Sequence, residues 1–362
     1  MVPKLRIFLV LAACLVQAGC GVLYLAQAAK GQMQIVAKRR PIETVLRDPQ
    51  VDAALKTRLE RVRAARAFAV RELGLPDNAS YTTYADVQRE YVTWSVVATP
   101  EFSVDAHEWC FPIAGCVAYR GYFREAAAEK FAAKMRAQGF DTVIGGVPAY
   151  STLGKFKDPV LSTMMSYGDD ELAGILFHEL SHQVVYIPDD SRFNEAFAVT
   201  VERAGLARWL KSLGREGELA KLLRRREIQA EGMRILGRYR DELKAVYASG
   251  IPADRMRALK AEVFARLVDE VKARDARGGI KSGFGQALEG TPNNARLSSF
   301  ATYYDCVPGF ERVLEQQRGD LPRFYAAVRE LAQLPSATRR VALCMEGDAL
   351  RLSPGGDEVK TQ

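Results

Sequence analysis

The pentapeptide His178-Glu179-Leu180-Ser181-His182 constrains this chain more than any other stretch. Two residues four apart are separated by about 6 Å of rise on a helix and by about 13 Å on a strand. Only the helix therefore lets both imidazoles reach one metal ion. Glu179 then lies where a carboxylate can take a proton from water activated by that ion. The chain holds 3 histidines, and two of them fall in this pentapeptide. That scarcity separates the pattern from a helix that merely buries a pair of imidazoles.

The rest of the composition is that of a globular protein. At 362 residues, 48% hydrophobic and 26% charged, the chain can bury a large core, and collagen-like, coiled-coil and wholly disordered classes are excluded. The formal charge is +7, yet the basic runs Lys38-Arg39-Arg40 and Arg224-Arg225-Arg226 are short and scattered. They read as solvated faces. With no nucleic-acid-binding motif beside them, nucleic acid is not an expected partner.

The N-terminus carries an address. Lys4 and Arg6 precede an apolar stretch, Ile7 to Val16, that is too short to span a bilayer. Gln17-Ala18-Gly19-Cys20 follows and resembles a bacterial lipobox, which implies a lipidated Cys20 as the first residue of the mature chain. Cys14, after Leu11-Ala12-Ala13, is the alternative, but it leaves a shorter hydrophobic region. The expectation is a signal peptide over 1–19 and a tether over 20–40. The domain would be lipid-anchored to a membrane of the bacterial cell envelope, on the periplasmic side. Four further cysteines remain, and an even number in an oxidising compartment points to disulfides. Cys110 and Cys116 enclose a tight loop containing Pro112 and Gly115, which leaves Cys306 with Cys344 by elimination. No C-x-x-C pair exists to build a metal site from them.

Apolar spacing predicts helix from Pro41 to Leu73, through Val51, Leu55, Leu59, Val62 and Phe68. β-branched and aromatic residues then predict strands at Tyr91–Val97, Val117–Tyr119 and Tyr122–Phe123. A helix over Ala126–Gln138 closes at Gly139, and Thr142–Ile144 is a short strand. From Asp170 onward nearly everything reads as helix, and the tail from Ser353 reads as frayed. The layout is α+β, a small mixed N-terminal sheet region over 41–170 packed on a mainly helical, zincin-like region over 171–352. The HELSH helix is expected over Ala173–Tyr186, with Asp169 or Asp170 as its cap and Glu171 at its positive end.

A catalytic zinc takes three protein ligands and leaves one position open. His107 is far upstream and reads as a loop residue, so the third ligand must be a carboxylate. Glu202 follows His182 after nineteen residues, the spacer of the thermolysin family. Glu195 follows after twelve, in an N-E-A-F-A segment that resembles the N-E-x-x-A segment of gluzincin peptidases. Seven residues put them about 10.5 Å apart along a helix axis, too far for both to hold one ion. Glu195 is the favoured ligand.

Several segments together resemble a family of bacterial lipoproteins identified as predicted aminopeptidases, gluzincin-like in character. These are Gly145-Gly-Val-Pro-Ala-Tyr-Ser-Thr-Leu-Gly154, F-H-E-L-S-H-Q-V-V-Y, F-N-E-A-F-A, Asn293-Asn294-Ala-Arg-Leu297, Cys110-Phe-Pro-Ile-Ala-Gly-Cys116 and Tyr119-Arg-Gly-Tyr-Phe123. The resemblance implies one Zn2+ held by His178, His182 and Glu195, with Glu179 as catalytic base. A downstream tyrosine, Tyr303 or Tyr304, would donate to the oxyanion. It implies a membrane-anchored zinc metallopeptidase acting on peptides, in the first instance an aminopeptidase. The alternatives are an envelope endopeptidase or amidase, and a non-catalytic lipoprotein with a structural metal. Gly145 to Thr152 is expected to be the edge strand along which substrate lies. That segment lacks the acidic residue with which such aminopeptidases hold a free amine.

Overall fold

A computed structural model describes residues 24–111, 115–149, 151–278, 284–288 and 292–344. The signal peptide, Cys14, Cys20 and the tail from Ser353 lie outside the described residues.

The architecture is α+β, as the sequence implies. Residues 24–37 form α1. The expected helical run to Leu73 is divided into β1 (Arg39–Pro41), α2 (Ile42–Arg47) and α3 (Ala53–Leu73). The division has a local cause. The Asp52 carboxylate accepts from Ala54 N and Leu55 N, which starts a new helix there, and Gly74 ends it at φ 65°. Two small sheets follow. One has the order β1-β2-β8, with β2 at Thr83–Ala85 and β8 at Val160–Leu161. The other has the order β6-β3-β7, with β3 at Thr93–Pro100, β6 at Arg120–Tyr122 and β7 at Phe140–Val147. β7 pairs with β3 along its whole length, from Phe140↔Pro100 to Val147↔Thr93. Its other edge is unpaired among the described residues. The expected edge strand 145–152 is thus strand only to Val147. Pro148 lacks the N–H to continue the ladder, and Thr152 turns onto the Asp158 carboxylate (N to Oδ2 2.9 Å). Tyr150 lies outside the described residues.

β4 (Trp109–Phe111) and β5 (Gly115–Val117) form a hairpin in which Cys110 is paired opposite Cys116, and the two are bridged. α4 (Glu125–Ala137) lays Ala128 and Ala132 against Val96 and Tyr122 of the second sheet.

After a 3-10 turn over Ser162–Ser166 the chain is helical: α5 (Asp169–Ser181), α6 (Ser191–Ser212), α7 (Glu216–Ala248), α8 (Ala253–Gly278), α9 (Phe284–Ala287), α10 (Asn294–Tyr304), α11 (Val307–Gln316), α12 (Leu321–Ala332) and α13 (Ser336–Cys344). The main core takes side chains from Ile35 through Leu343 and is centred on Phe177, Phe193, Phe197, Phe310 and Phe324. α7 and α8 close a second core around Leu236, Leu243, Phe264 and Leu267.

The HELSH helix departs from expectation at both ends. It starts earlier, because Glu171 reaches back to Gly168 N (3.0 Å), which makes Gly168 the N-cap. Asp169 and Asp170 therefore stand in the first turn. Asp169 faces Arg58 and Arg61, and Asp170 is held by Arg215 through both guanidinium nitrogens at 2.6 and 3.0 Å. The helix also stops at the second histidine rather than at Tyr186. The short-range bonds Gln183 N to Leu180 O (3.1 Å) and Val184 N to Ser181 O (2.9 Å) turn the chain away.

The C-terminal helix secures the start of α6. A disulfide joins Cys306 to Cys344. Arg339, 9% exposed in its side chain, reaches Asp190 Oδ2 through Nη2 (2.7 Å) and Nε (3.1 Å). Asp190 is also the N-cap of α6, accepting from Phe193 N. Removing one partner of a buried ion pair leaves the other desolvated, so Arg339→Ala should cost about 3 kcal/mol of unfolding free energy. Urea unfolding with an unchanged slope would measure it, and a loss below about 0.5 kcal/mol would place the pair among ordinary surface contacts.

Candidate metal centre

α5 and α6 form an antiparallel pair whose connection, residues 182–190, must be held tightly for their side chains to meet. Asn194 does this. Its buried side chain accepts from Ile187 N (2.8 Å) and donates to Ile187 O (2.7 Å), so one amide fixes both backbone groups of the loop. Asp189 takes a positive φ of 67° to complete the reversal. Further along, Gly205 lets α6 approach closely. A Cβ there would stand 2.7 Å from Leu73 and 2.9 Å from Phe177.

This packing brings His178, His182 and Glu195 together, with one ligand atom from each within 4.8 Å of the others. Glu195 Oε2 lies 3.3 Å from His178 Nε2 and 3.9 Å from His182 Nε2. Two imidazole nitrogens and a carboxylate oxygen thus converge from two helices, with His182 and Glu195 buried. Borderline divalent ions favour this donor set, and three protein ligands leave a position open. Glu202 takes a different place. Its Oε2 lies 3.1 Å from His178 Nδ1, on the far side of the ring from Glu195. A carboxylate there fixes the tautomer that leaves Nε2 free as a donor to metal. His182 has no such support among the described residues, where its buried Nδ1 meets no hydrogen-bond partner.

Burial and charge divide the titrations. Burial alone pushes His178 down, but the hydrogen bonds to Glu195 and Glu202 outweigh it and hold the imidazole well above its usual range. Burial pushes His182 down to about 4. Burial raises Glu179 to about 7, opposed by His178 and aided by the negative charge of Glu195. For Glu195 burial is outweighed by the hydrogen bond from His178 and the charges of both histidines, and its carboxyl sits below the usual range. A cation among these groups competes with the proton on His178 and reverses the sense of that shift.

Over residues 23–343 the chain matches the family described as "Putative aminopeptidase". The chain belongs to that family. No curated protein and no solved structure matches it.

Other sequence-expected residues of this family member fall as follows. Tyr303, on the last turn of α10, feels the charge of Glu195 foremost, then its own desolvation, then Tyr119 and Glu179, and its hydroxyl is held well above the usual range. Its neighbour Tyr304 turns the other way. Burial raises it foremost, with Glu202 and Arg203 as the nearest charges and Gln229 as hydrogen-bond partner. His107 stands apart from the group, stacked edge-on against Trp109 and Phe140. Asn293 and Asn294 are structural. Asn293 caps α10 and donates to Thr142 O (3.1 Å), and Asn294, fully buried, donates to Glu101 O (2.9 Å).

Sequence marks Tyr119 as the end of a strand and the start of the segment Tyr119–Phe123, with no role at the centre. Burial raises its hydroxyl, with Glu195, Tyr186 and Glu179 as the next causes, so it belongs to the same electrostatic neighbourhood. The disulfide hairpin brings it there. Cys116 N donates to Asp189 Oδ1, docking the hairpin on the loop between α5 and α6.

Proposed function

We propose that this family member is a zinc metallopeptidase, lipid-anchored through Cys20 to a membrane of the bacterial envelope. Its domain lies on the periplasmic side, and it removes residues from the N-terminus of peptides. The observation that carries the reading is the convergence of His178 Nε2, His182 Nε2 and Glu195 Oε2 on one point, with Glu179 buried beside it and outside the ligand group.

A divalent ion held by these three residues supplies a Lewis acid for the peptide carbonyl and lowers the pKa of water. Glu179 takes the water proton and hands it to the departing amine. The Tyr303 hydroxyl donates to the oxyanion as it forms. Glu202 keeps the His178 ring in the orientation and tautomer that present Nε2. The unpaired edge of β7 offers backbone groups to an extended substrate, with Gly145 and Gly146 exposed on it.

An endopeptidase or amidase reading stands beside the aminopeptidase one because of the carboxylates. Glu195 is engaged by the histidines and Glu202 by His178. Asp158 is engaged by the backbone and hydroxyl of Thr152. None of these is left to hold a substrate amine. The expected result for purified protein is one zinc per chain, and loss of peptidase activity with a chelator that zinc restores. Cleavage of a free-amine tetrapeptide but not of its N-acetylated form supports the aminopeptidase. Equal cleavage of both establishes the endopeptidase, and absence of stoichiometric metal removes both readings.

A further inference from the structure

α10 runs from the sheet edge at β7 toward the group formed by His178, His182 and Glu195. It starts on β7, where Asn294 N donates to Asp141 Oδ2 (3.0 Å) and Asn293 donates to Thr142 O. Its last turn carries Tyr303, whose hydroxyl feels the charges of Glu195 and Glu179. One side of α10 is packed, with Ala295, Leu297, Ser298, Ala301 and Thr302 buried. Tyr303 keeps 37% of its surface exposed. Arg296 lies seven residues before Tyr303, two helical turns back and on the same face. It is half-buried, yet among the described residues its guanidinium meets neither a carboxylate nor a hydrogen-bond acceptor nor an aromatic face. Burial pushes it below the usual range, and no neighbouring charge offsets that cost. Arginines elsewhere around the centre are paired: Arg192 and Arg240 with Asp105 and Asp305, Arg203 with Glu311, Arg339 with Asp190. A guanidinium that no described protein group pairs, on the face of α10 that carries Tyr303, is free to take an anion through charge-assisted hydrogen bonds.

We infer that Arg296 anchors a carboxylate of the substrate, so that the preferred peptides carry a negative charge a few residues from the bond that is cut. Two helical turns span about 10.5 Å, which an extended peptide covers in about three residues. The carboxylate is either the C-terminus of a short peptide or an acidic side chain. The inference rests on the peptidase reading for the position of the cut bond.

The test uses the full-length, metal-loaded protein and three probes: tetraalanine, tetraalanine amide, and Ala-Ala-Glu-Ala amide. The wild type should favour at least one carboxylate probe over tetraalanine amide by about tenfold or more in kcat/KM, the range of a charge-assisted hydrogen bond. Arg296→Gln should bring that ratio to about one, and Arg296→Lys should restore part of it. Preference for tetraalanine assigns the terminal carboxylate, and preference for the glutamyl probe assigns the side chain. A purely structural arginine would lower all three probes together and leave the ratio intact, which overturns the inference. Calorimetric binding of the same probes to the Glu179→Gln protein, with and without Arg296→Gln, reads recognition without hydrolysis. A carboxylate preference in binding without cleavage by the wild type sinks the peptidase reading and leaves Arg296 as an anion anchor. Cleavage without carboxylate preference does the reverse.

Discussion

Glu179→Gln should leave zinc bound at one ion per chain and lower kcat/KM by about a thousandfold, within the range attributed to general acid–base catalysis. The expectation follows from where this side chain stands. It is 8% exposed and lies beside, not within, the group formed by His178, His182 and Glu195. Glutamine has the same shape and fills the same volume, so packing and the ligands are undisturbed. What it lacks is a carboxylate to accept the proton of water and return it to the leaving nitrogen. Metal analysis beside a peptidase assay decides the matter. If zinc is lost together with activity, Glu179 holds the centre together and the assignment of a base is wrong.

The second large effect separates two glutamates on one helix. Glu195→Ala should abolish stoichiometric zinc binding, because among the described residues it removes the only carboxylate that meets both Nε2 atoms and leaves the two histidines. Glu202→Ala should retain zinc but weaken it by about 10- to 100-fold, the usual consequence of removing a carboxylate behind a ligating histidine. It touches the centre only through His178 Nδ1. Competition with a calibrated chelator would rank the two variants. The opposite order, zinc lost in Glu202→Ala and kept in Glu195→Ala, would hand the ligand role to Glu202.

Much of this was legible in the chain because the information is local. Two histidines one helical turn apart must share a face, and N-E-A-F-A on the next helix supplies a carboxylate that a short loop can return to them. The α+β layout and both cysteine pairings were likewise legible from patterns of strand and helix and from counting. The rest is set by cap chemistry at helix ends and by distant contacts. The helix limits of α5 depend on Glu171 reaching Gly168 and on short-range bonds after Leu180, not on the apolar period, which continues through Val185. Glu202 is placed by the register of α6 on α5, so sequence could name it beside Glu195 but could not show which ring nitrogen it meets. Tyr119 reaches the centre because a hairpin docks on Asp189, a contact spanning 73 positions that no local pattern encodes.

The pairing of Arg339 with Asp190 ties the N-cap of α6, the helix that carries Glu195, to the C-terminal helix α13. Integrity of the centre is therefore a property of nearly the whole polypeptide rather than of the helical hairpin that supplies its donors. A nascent chain lacks the final clasp until α13 has been synthesised and oxidised onto Cys306. Premature stops or proteolytic trimming ahead of Ser336 would spare every ligand and still leave the hairpin's turn without its guard.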